Sequence, residues 1–191
     1  HKSFYIEYTN GQTGLTGNHS FGRLDIFSTK LVPYAQLGKG YNEVLISPNE
    51  THLAVRQSFG NKPWEMYVKE NNPTKNDLVQ ITHSTSDAFE SYRWIDPQVI
   101  SFKGSDGMDV FARIYEPEAA NKNGAAVLFV HGAGYLQNAH HYWSNYYREY
   151  MFHHLLREQG YTVLDVDYRA SEGYGRDYRT YGKKHRFADE T

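Results

Sequence analysis

The first half of the chain alternates apolar and polar positions in short runs. SFYIEY, residues 3–8, alternates and leads to Asn10-Gly11, a dipeptide that favours tight hairpin turns. RLDIFST, residues 23–29, sets Leu24 and Ile26 against polar neighbours. NEVLISPNETHLAVRQSF, residues 42–59, reads as two strands joined by Ser47-Pro48-Asn49-Glu50, because Pro presets φ and Asn tolerates the turn backbone. PWEMYVKE supplies a further strand, NNPTKND a turn, and LVQITHS another strand. Four strands in about 40 residues suit one β-propeller blade and, equally, a plain antiparallel meander. Spacing alone leaves the two open.

The pattern changes after FESYRWIDP, residues 89–97. VISFKGSDGMDVFARIYEP predicts a hairpin turning at Gly104-Ser105-Asp106-Gly107. AAVLFV, residues 125–130, is apolar without alternation, as expected of a strand buried on both faces. A helix follows, with Ser144 as N-cap and Tyr147, Met151 and Leu155 at i, i+4 and i+8 on one face. Gly160 is placed to end it, and YTVLDVD, residues 161–167, is a second buried strand. Strand, helix, strand predicts a right-handed crossover in a parallel sheet. The chain therefore reads as β-rich over residues 1–94 and α/β over 95–191.

Composition narrows the function classes. With 39% apolar and 22% charged residues among 191, the chain fits a globular protein rather than a disordered one. Its net charge is −2 and its Lys and Arg are scattered, which argues against a nucleic-acid partner or an anionic membrane surface. No apolar run reaches membrane-span length, and HKSFYIEYTNG has no apolar signal core. The chain has no cysteine, so disulfides, thiolate catalysis and Cys-based zinc sites are excluded. The pairs His140-His141 and His153-His154 are adjacent residues, which point about 100° apart on a helix, and H-E-x-x-H is absent; no metal site is expected. SEGYGR lacks the spacing of a phosphate-binding loop, so no nucleotide cofactor is expected either.

Two loops remain as candidates for chemistry. His131-Gly132-Ala133-Gly134 directly follows a buried strand, where an α/β-hydrolase takes a backbone N–H for its oxyanion hole; an ordinary tight turn is the competing reading. The second, DVDYRASEGYGRDYR at residues 165–179, lies where open α/β sheets put ligand crevices, and Asp167 and Arg169 are close enough in sequence to pair. Neither loop brings a nucleophile. No serine lies in G-x-S-x-G: Ser20, Ser58 and Ser171 each have glycine on one side only. In an α/β-hydrolase the nucleophile follows a later strand, and the acid and base come later still, so all three are expected beyond Thr191.

The segment AAVLFVHGAGYLQNAHHYWSNYYREYMFHHLLREQGYTVLDVDYRASEGYGRDYRT resembles the opening of the catalytic domain of prolyl oligopeptidase-family serine peptidases, in the bacterial dipeptidyl peptidase IV-like branch. Upstream, LISPNETHLAVRQSFGNKPWEMYV and QITHSTSDAFESYRWIDPQVISFKGSDG resemble that family's last propeller blade and its passage into the hydrolase domain; the resemblance covers residues 38–183. It implies a mixed fold: a partial β-propeller of antiparallel strands, then the N-terminal part of an α/β-hydrolase domain. It also implies hydrolysis of short peptides by Ser-Asp-His acyl transfer, often after Pro or Ala, with no cofactor.

In dipeptidyl peptidase IV-like members a strand-end tyrosine donates to the oxyanion, and His131 stands at that position here. Acylaminoacyl-peptidase-like relatives use a glycine N–H, which makes Gly132 the oxyanion candidate, within a loop of His131, Gly132, Ala133, Gly134 and Tyr135. Asp167, Tyr168 and Arg169 form a second loop at the active-site edge. The family's habit favours a periplasmic or secreted setting and leaves a homodimer open for the full-length protein. An acylaminoacyl peptidase or esterase of the same fold, or a non-catalytic propeller-based binding protein, are the alternatives. The isolated chain is expected to be inactive and marginally stable, since partial sheets leave unpaired edges.

Overall fold

A computed structural model describes residues 2–9, 16–132 and 135–181. Over these residues the chain is mixed and sheet-rich, and it divides into two units. One takes in residues 2–9, Asn18–Asp96 and His141–Trp143; the other takes in residues 16–17, Pro97–His140 and the chain from Ser144. The turn expected at Asn10-Gly11 lies outside the described residues.

The first unit is one sheet built from β1 (Ser3–Thr9), β2 (His19–Asp25), β3 (Leu31–Pro33), β4 (Tyr41–Ile46), β5 (His52–Phe59), β6 (Lys62–Glu70) and β7 (Val79–Gln80). Its order is β1-β2-β4-β5-β6-β7, with β3 on β2; all pairs are antiparallel except β2 with β4. Alternation sends Leu53 and Val55 of β5 inward, where they join Phe21, Tyr34 and Leu37 in a fully buried cluster. The β4–β5 turn is the expected one: Glu50 N–H donates to the Ser47 carbonyl at 2.8 Å.

Two strands are shorter than their patterns predict, because side chains take over the backbone bonds. β2 stops at Asp25, whose Oδ1 accepts the Phe27 and Ser28 N–H groups, so Ile26 and Phe27 leave the sheet. β7 is two residues long. Beyond it, Thr82 Oγ1 accepts the Met66 N–H, and Ser84 N–H donates to Glu65. A short helix, α1 (Asp87–Glu90), follows with Ser86 as its N-cap.

The second unit has β8 (Gln98–Lys103), β9 (Asp109–Tyr115), β10 (Ala126–Val130), α2 (Tyr147–Glu158), β11 (Thr162–Asp167) and α3 (Arg176–Arg179). The sheet order is β10-β11-β9-β8: β10 and β11 are parallel, and the other two pairs are antiparallel. The hairpin turn is at Gly104–Gly107, as its sequence predicts. Gly160 ends α2 at φ +88°, and a Cβ there would lie 2.1 Å from the Asn121 carbonyl, so only glycine fits.

Three expectations change here. β10 is at the end of the described sheet, and Leu128 and Val130 are 63% and 51% exposed rather than covered on both faces. The expected apolar face of α2 points outward: Tyr147, Met151 and Leu155 are exposed. The buried face is Tyr150, His153 and His154 instead, at i, i+3 and i+4. Their rings meet Tyr115 of β9, and His153 also meets Phe129 of β10, at centroid separations of 5.1 to 6.1 Å. An aromatic sheet face selects planar rings over aliphatic chains. Nor does Ser144 cap the helix by the usual bond. The N-cap is Tyr146, whose N–H donates to Ser144 Oγ at 3.0 Å.

Leu53 is fully buried at the centre of the first unit's core. Leu53→Ala is expected to destabilise that unit by about 2–5 kcal/mol. Urea denaturation followed by Trp fluorescence measures it, since Trp64, Trp94 and Trp143 all belong to this unit.

Candidate active-site loops

The geometry at the end of β11 begins with strand alternation. Val163, Asp165 and Asp167 all point to one face and are at most 1% exposed. Two buried carboxylates at i and i+2 need hydrogen-bond donors, and the surrounding chain supplies them. Asp165 Oδ2 accepts from Arg113 Nε at 3.2 Å and from Arg113 Nη2 at 2.5 Å; its Oδ1 accepts from Asn138 Nδ2 at 2.6 Å. The Arg113 guanidinium is held above its ordinary pKa: burial works against its charge, but neighbouring Tyr115 and Asp165 outweigh that.

Asp167 fastens the loop after β10. Its Oδ1 accepts the Asn138 N–H at 2.8 Å and its Oδ2 the Ala139 N–H at 3.0 Å. The Tyr174 hydroxyl donates to Oδ2 as well, and Tyr178 Oη donates to the Asp167 carbonyl at 2.9 Å. Burial and the Asp167 charge push the Tyr174 phenol well above its usual range, and burial moves Tyr178 up to about 12. Gly173 lies at φ +92°, and a Cβ there would fall 2.4 Å from the Gln137 side chain. Only glycine lets the second loop close over the first.

His131 completes this network. Its Nε2 lies 3.2 Å from Asp167 Oδ1, and its Nδ1 lies 2.8 Å from the Gly132 carbonyl. Both neighbours are acceptors, so the imidazolium, with a proton on each nitrogen, satisfies them together. Burial works to lower the His131 pKa, yet the Asp167 bond, the Gly132 carbonyl and the aspartate charges leave it raised. Ser171 Oγ is 3.0 Å from the same Nε2, which brings Ser, His and Asp together. This is not a catalytic triad. A triad base presents one nitrogen to serine and the other to the carboxylate, whereas here both crowd Nε2, and Ser171 is 1% exposed.

The remaining sequence candidates divide. Gly132 is exposed; its N–H donates to Tyr146 Oη at 3.4 Å and its carbonyl accepts from Tyr168 Oη at 3.0 Å. Among the described residues neither packing nor φ demands glycine at 132, since a Cβ would meet only Tyr146 Oη there, at 3.9 Å. Tyr168 stacks on His131 at 4.7 Å, and burial raises its phenol pKa. Arg169 does not pair with Asp167; it pairs with Asp106 in the β8–β9 turn, because Asp167 is enclosed by other donors. Tyr135 is exposed and holds φ +58°, and Ala170 holds φ +84°, so each loop carries a residue in the left-handed region. Ala133 and Gly134 lie outside the described residues.

Sequence reading missed Arg113, Asn138, Ser144, Ser171 and Tyr174. The one signal that could have found them is the aspartate pair in DVD, since alternation buries both carboxylates and so demands partners. Among the described residues no cluster of His, Asp and Glu is arranged to hold a metal, and no helix is long and apolar enough to cross a membrane.

No known protein-family profile matches the chain. A Bacillus subtilis (strain 168) protein described as the uncharacterized peptidase YuxL is 26% identical over 153 residues, covering 78% of this chain and 22% of that one. Among solved structures, the chain is similar to Porphyromonas gingivalis dipeptidyl peptidase 4, with TM-score 0.72 and 16% identity over 94% of this chain and 25% of that one. It is also similar to Pyrococcus horikoshii acylaminoacyl peptidase, with TM-score 0.63 and 18% identity over 92% of this chain and 25% of that one. At these identities the structural likeness is one of fold. The chain spans about a quarter of the length of each solved relative.

Arg113→Met leaves Asp165 charged, buried and short of its main partner, and is expected to cost about 3–5 kcal/mol. Adding Asp165→Asn removes the stranded charge and should recover part of that loss in chemical denaturation followed by circular dichroism.

The buried histidines give opposite pH limbs. Burial lowers His153 to about 4 from 6.5, with Arg113 and His154 acting the same way against Asp165 and Glu149. Its stabilisation is complete above pH 6.5 and is lost as pH falls toward about 4. A shift of this size corresponds to on the order of 3 kcal/mol. His131, whose pKa is raised, stabilises fully below 6.5 and loses that contribution as pH rises through its folded value. His153→Phe should flatten the acid decline in stability; an unchanged acid slope would count against this assignment.

Proposed function

We propose that this chain is the portion of a prolyl oligopeptidase-family serine peptidase in which a propeller blade passes into the α/β-hydrolase domain, and that Gly132 contributes its N–H to the oxyanion hole. One observation carries this reading. At the C-terminal end of a parallel strand, an exposed glycine that neither φ nor packing among the described residues requires directs its N–H at a hydroxyl oxygen, its near neighbour in the Cβ direction among those residues. A missing side chain there lets a substrate carbonyl approach the backbone.

The architecture supports the same reading. An antiparallel sheet is followed by a hairpin and a parallel β-α-β unit, and relatives of similar fold include two named peptidases. The reaction is acyl transfer. A serine oxygen attacks the carbonyl carbon of a short peptide while a histidine base takes its proton, and the carbonyl electron pair moves to oxygen, where preorganised donors stabilise it. Residues 1–191 hold no G-x-S-x-G, so serine, acid and base belong to the remainder of the full-length protein. His131 is a positioning residue in this scheme, because both ring nitrogens are engaged with Asp167 and the Gly132 carbonyl.

A fluorophosphonate probe tests the proposal. The full-length protein is expected to be labelled at a serine outside these 191 residues, and the isolated chain is expected to take no label. Labelling within residues 1–191, or none in the full-length protein, would overturn it. Chromogenic Ala-Pro and acyl-amino-acid substrates then distinguish dipeptidyl from acylaminoacyl specificity.

A further inference from the structure

We infer that the first unit takes a small organic cation in a cavity beside β6, with the cation's nitrogen on Glu65 and its apolar body against the rings of Tyr67 and Phe89. The cavity measures about 580 Å³, and every residue lining it belongs to that unit. A volume of this size suits a small-molecule site. Alternation along β6 turns Pro63, Glu65 and Tyr67 toward the cavity, and the chain from Gln80 to Trp94 supplies most of the remaining wall.

Glu65 stands out in this wall. It is 8% exposed, yet among the described residues no Lys or Arg forms an ion pair with it, and its donors are neutral. Oε1 accepts from the Ser84 N–H at 2.6 Å and from Ser84 Oγ at 2.7 Å; Oε2 accepts from Thr82 Oγ1. A carboxylate offers about four acceptor sites, so Oε2 keeps one for a further donor. Burial works to raise the Glu65 pKa, but these bonds and the His83 charge leave it lowered, so the group is ionised near neutral pH. Neutral donors offset a buried charge only in part, and a cation completes the pairing.

The rings supply the second half of the recognition. Tyr67 is two residues beyond Glu65 on the same strand face, and among the described residues no ring stacks on it. Burial and then the Glu65 charge hold its phenol above the usual pKa, so the carboxylate's field reaches this ring. Phe89 is fixed by Trp94, stacked at 5.1 Å, and by Trp143, edge-on at 5.8 Å. Aromatic faces attract cations, so rings beside a carboxylate select a positively charged nitrogen over a neutral group of the same shape.

Two basic residues line the same cavity. Arg93 has partners of its own. Lys62 is exposed at the start of β6, and Glu90, also exposed, offsets its charge. The buried carboxylate of Glu65 is left to choose the sign of the ligand.

Titration calorimetry on the full-length protein tests this, with phenethylammonium as the cation and 2-phenylethanol as its uncharged counterpart. The cation is expected to bind with a Kd no weaker than about 10 mM, and the alcohol at least about 10-fold more weakly. Glu65→Gln keeps the shape and removes the charge; it should weaken the cation about 10- to 100-fold and leave the alcohol within about 2-fold. A purely structural Glu65 would instead lower the melting temperature and leave both affinities alike. Lys62→Met removes an exposed like charge and should tighten the cation about 2- to 5-fold. Equal binding of cation and alcohol, no saturable binding of the cation, or a cation affinity unmoved by Glu65→Gln overturns the assignment. Where Glu65→Gln does not fold, an unmoved affinity in Lys62→Met overturns it instead. None of these outcomes bears on the peptidase reading of Gly132.

Discussion

The second unit is organised by two carboxylates buried on one strand. Asp165 and Asp167 are two residues apart on β11, so alternation sends both to the same side, and neither reaches water. A buried carboxylate is tolerated only when its oxygens are filled with donors. Arg113 from β9, Asn138 by backbone and side chain, the Ala139 N–H, His131 and Tyr174 fill them. Removing the carboxylates would leave the loops after β10 and β11 without what closes them.

The candidate chemistry inherits its geometry from this constraint. The Gly132 peptide is gripped by a His131 that Asp167 holds in place and by a Tyr168 stacked on that histidine. Tyr146 is tied through Ser144 to the guanidinium that answers Asp165. The buried ion pairs and their partners are the support of the proposed oxyanion site, and its exposed surface carries the Gly132 backbone N–H. Donors fixed this way keep their orientation when a substrate's charge develops.

The same unit shifts its buried histidines in opposite directions. His131 faces a carboxylate and a carbonyl, which together outweigh the penalty of burial. His153 and His154 face aromatic rings on the inner side of α2, where burial prevails and the neutral ring is favoured. They pack there as flat, ring-like fillers against Tyr115.

Much of the architecture was legible in residue order. Alternation, the Ser47–Glu50 and Gly104–Gly107 turns and Gly160 after α2 are local devices, and local devices survive folding because their causes lie within a few residues. The H-G-A-G stretch likewise marked the end of a parallel strand before any tertiary contact was known. What residue order left undetermined depended on what lay across the fold. Whether α2 buries aliphatic or imidazole side chains was decided by the rings of Tyr115 and Phe129 opposite it. Arg169 went to Asp106 rather than Asp167 because five partners from three segments had already enclosed Asp167. Tyr146 reached the Gly132 N–H from fourteen positions along the chain, a distance that no motif spacing encodes. Sequence sets which backbone shapes are affordable locally; only the tertiary structure decides which polar groups meet, because that depends on which donors are left when the carboxylates have been satisfied.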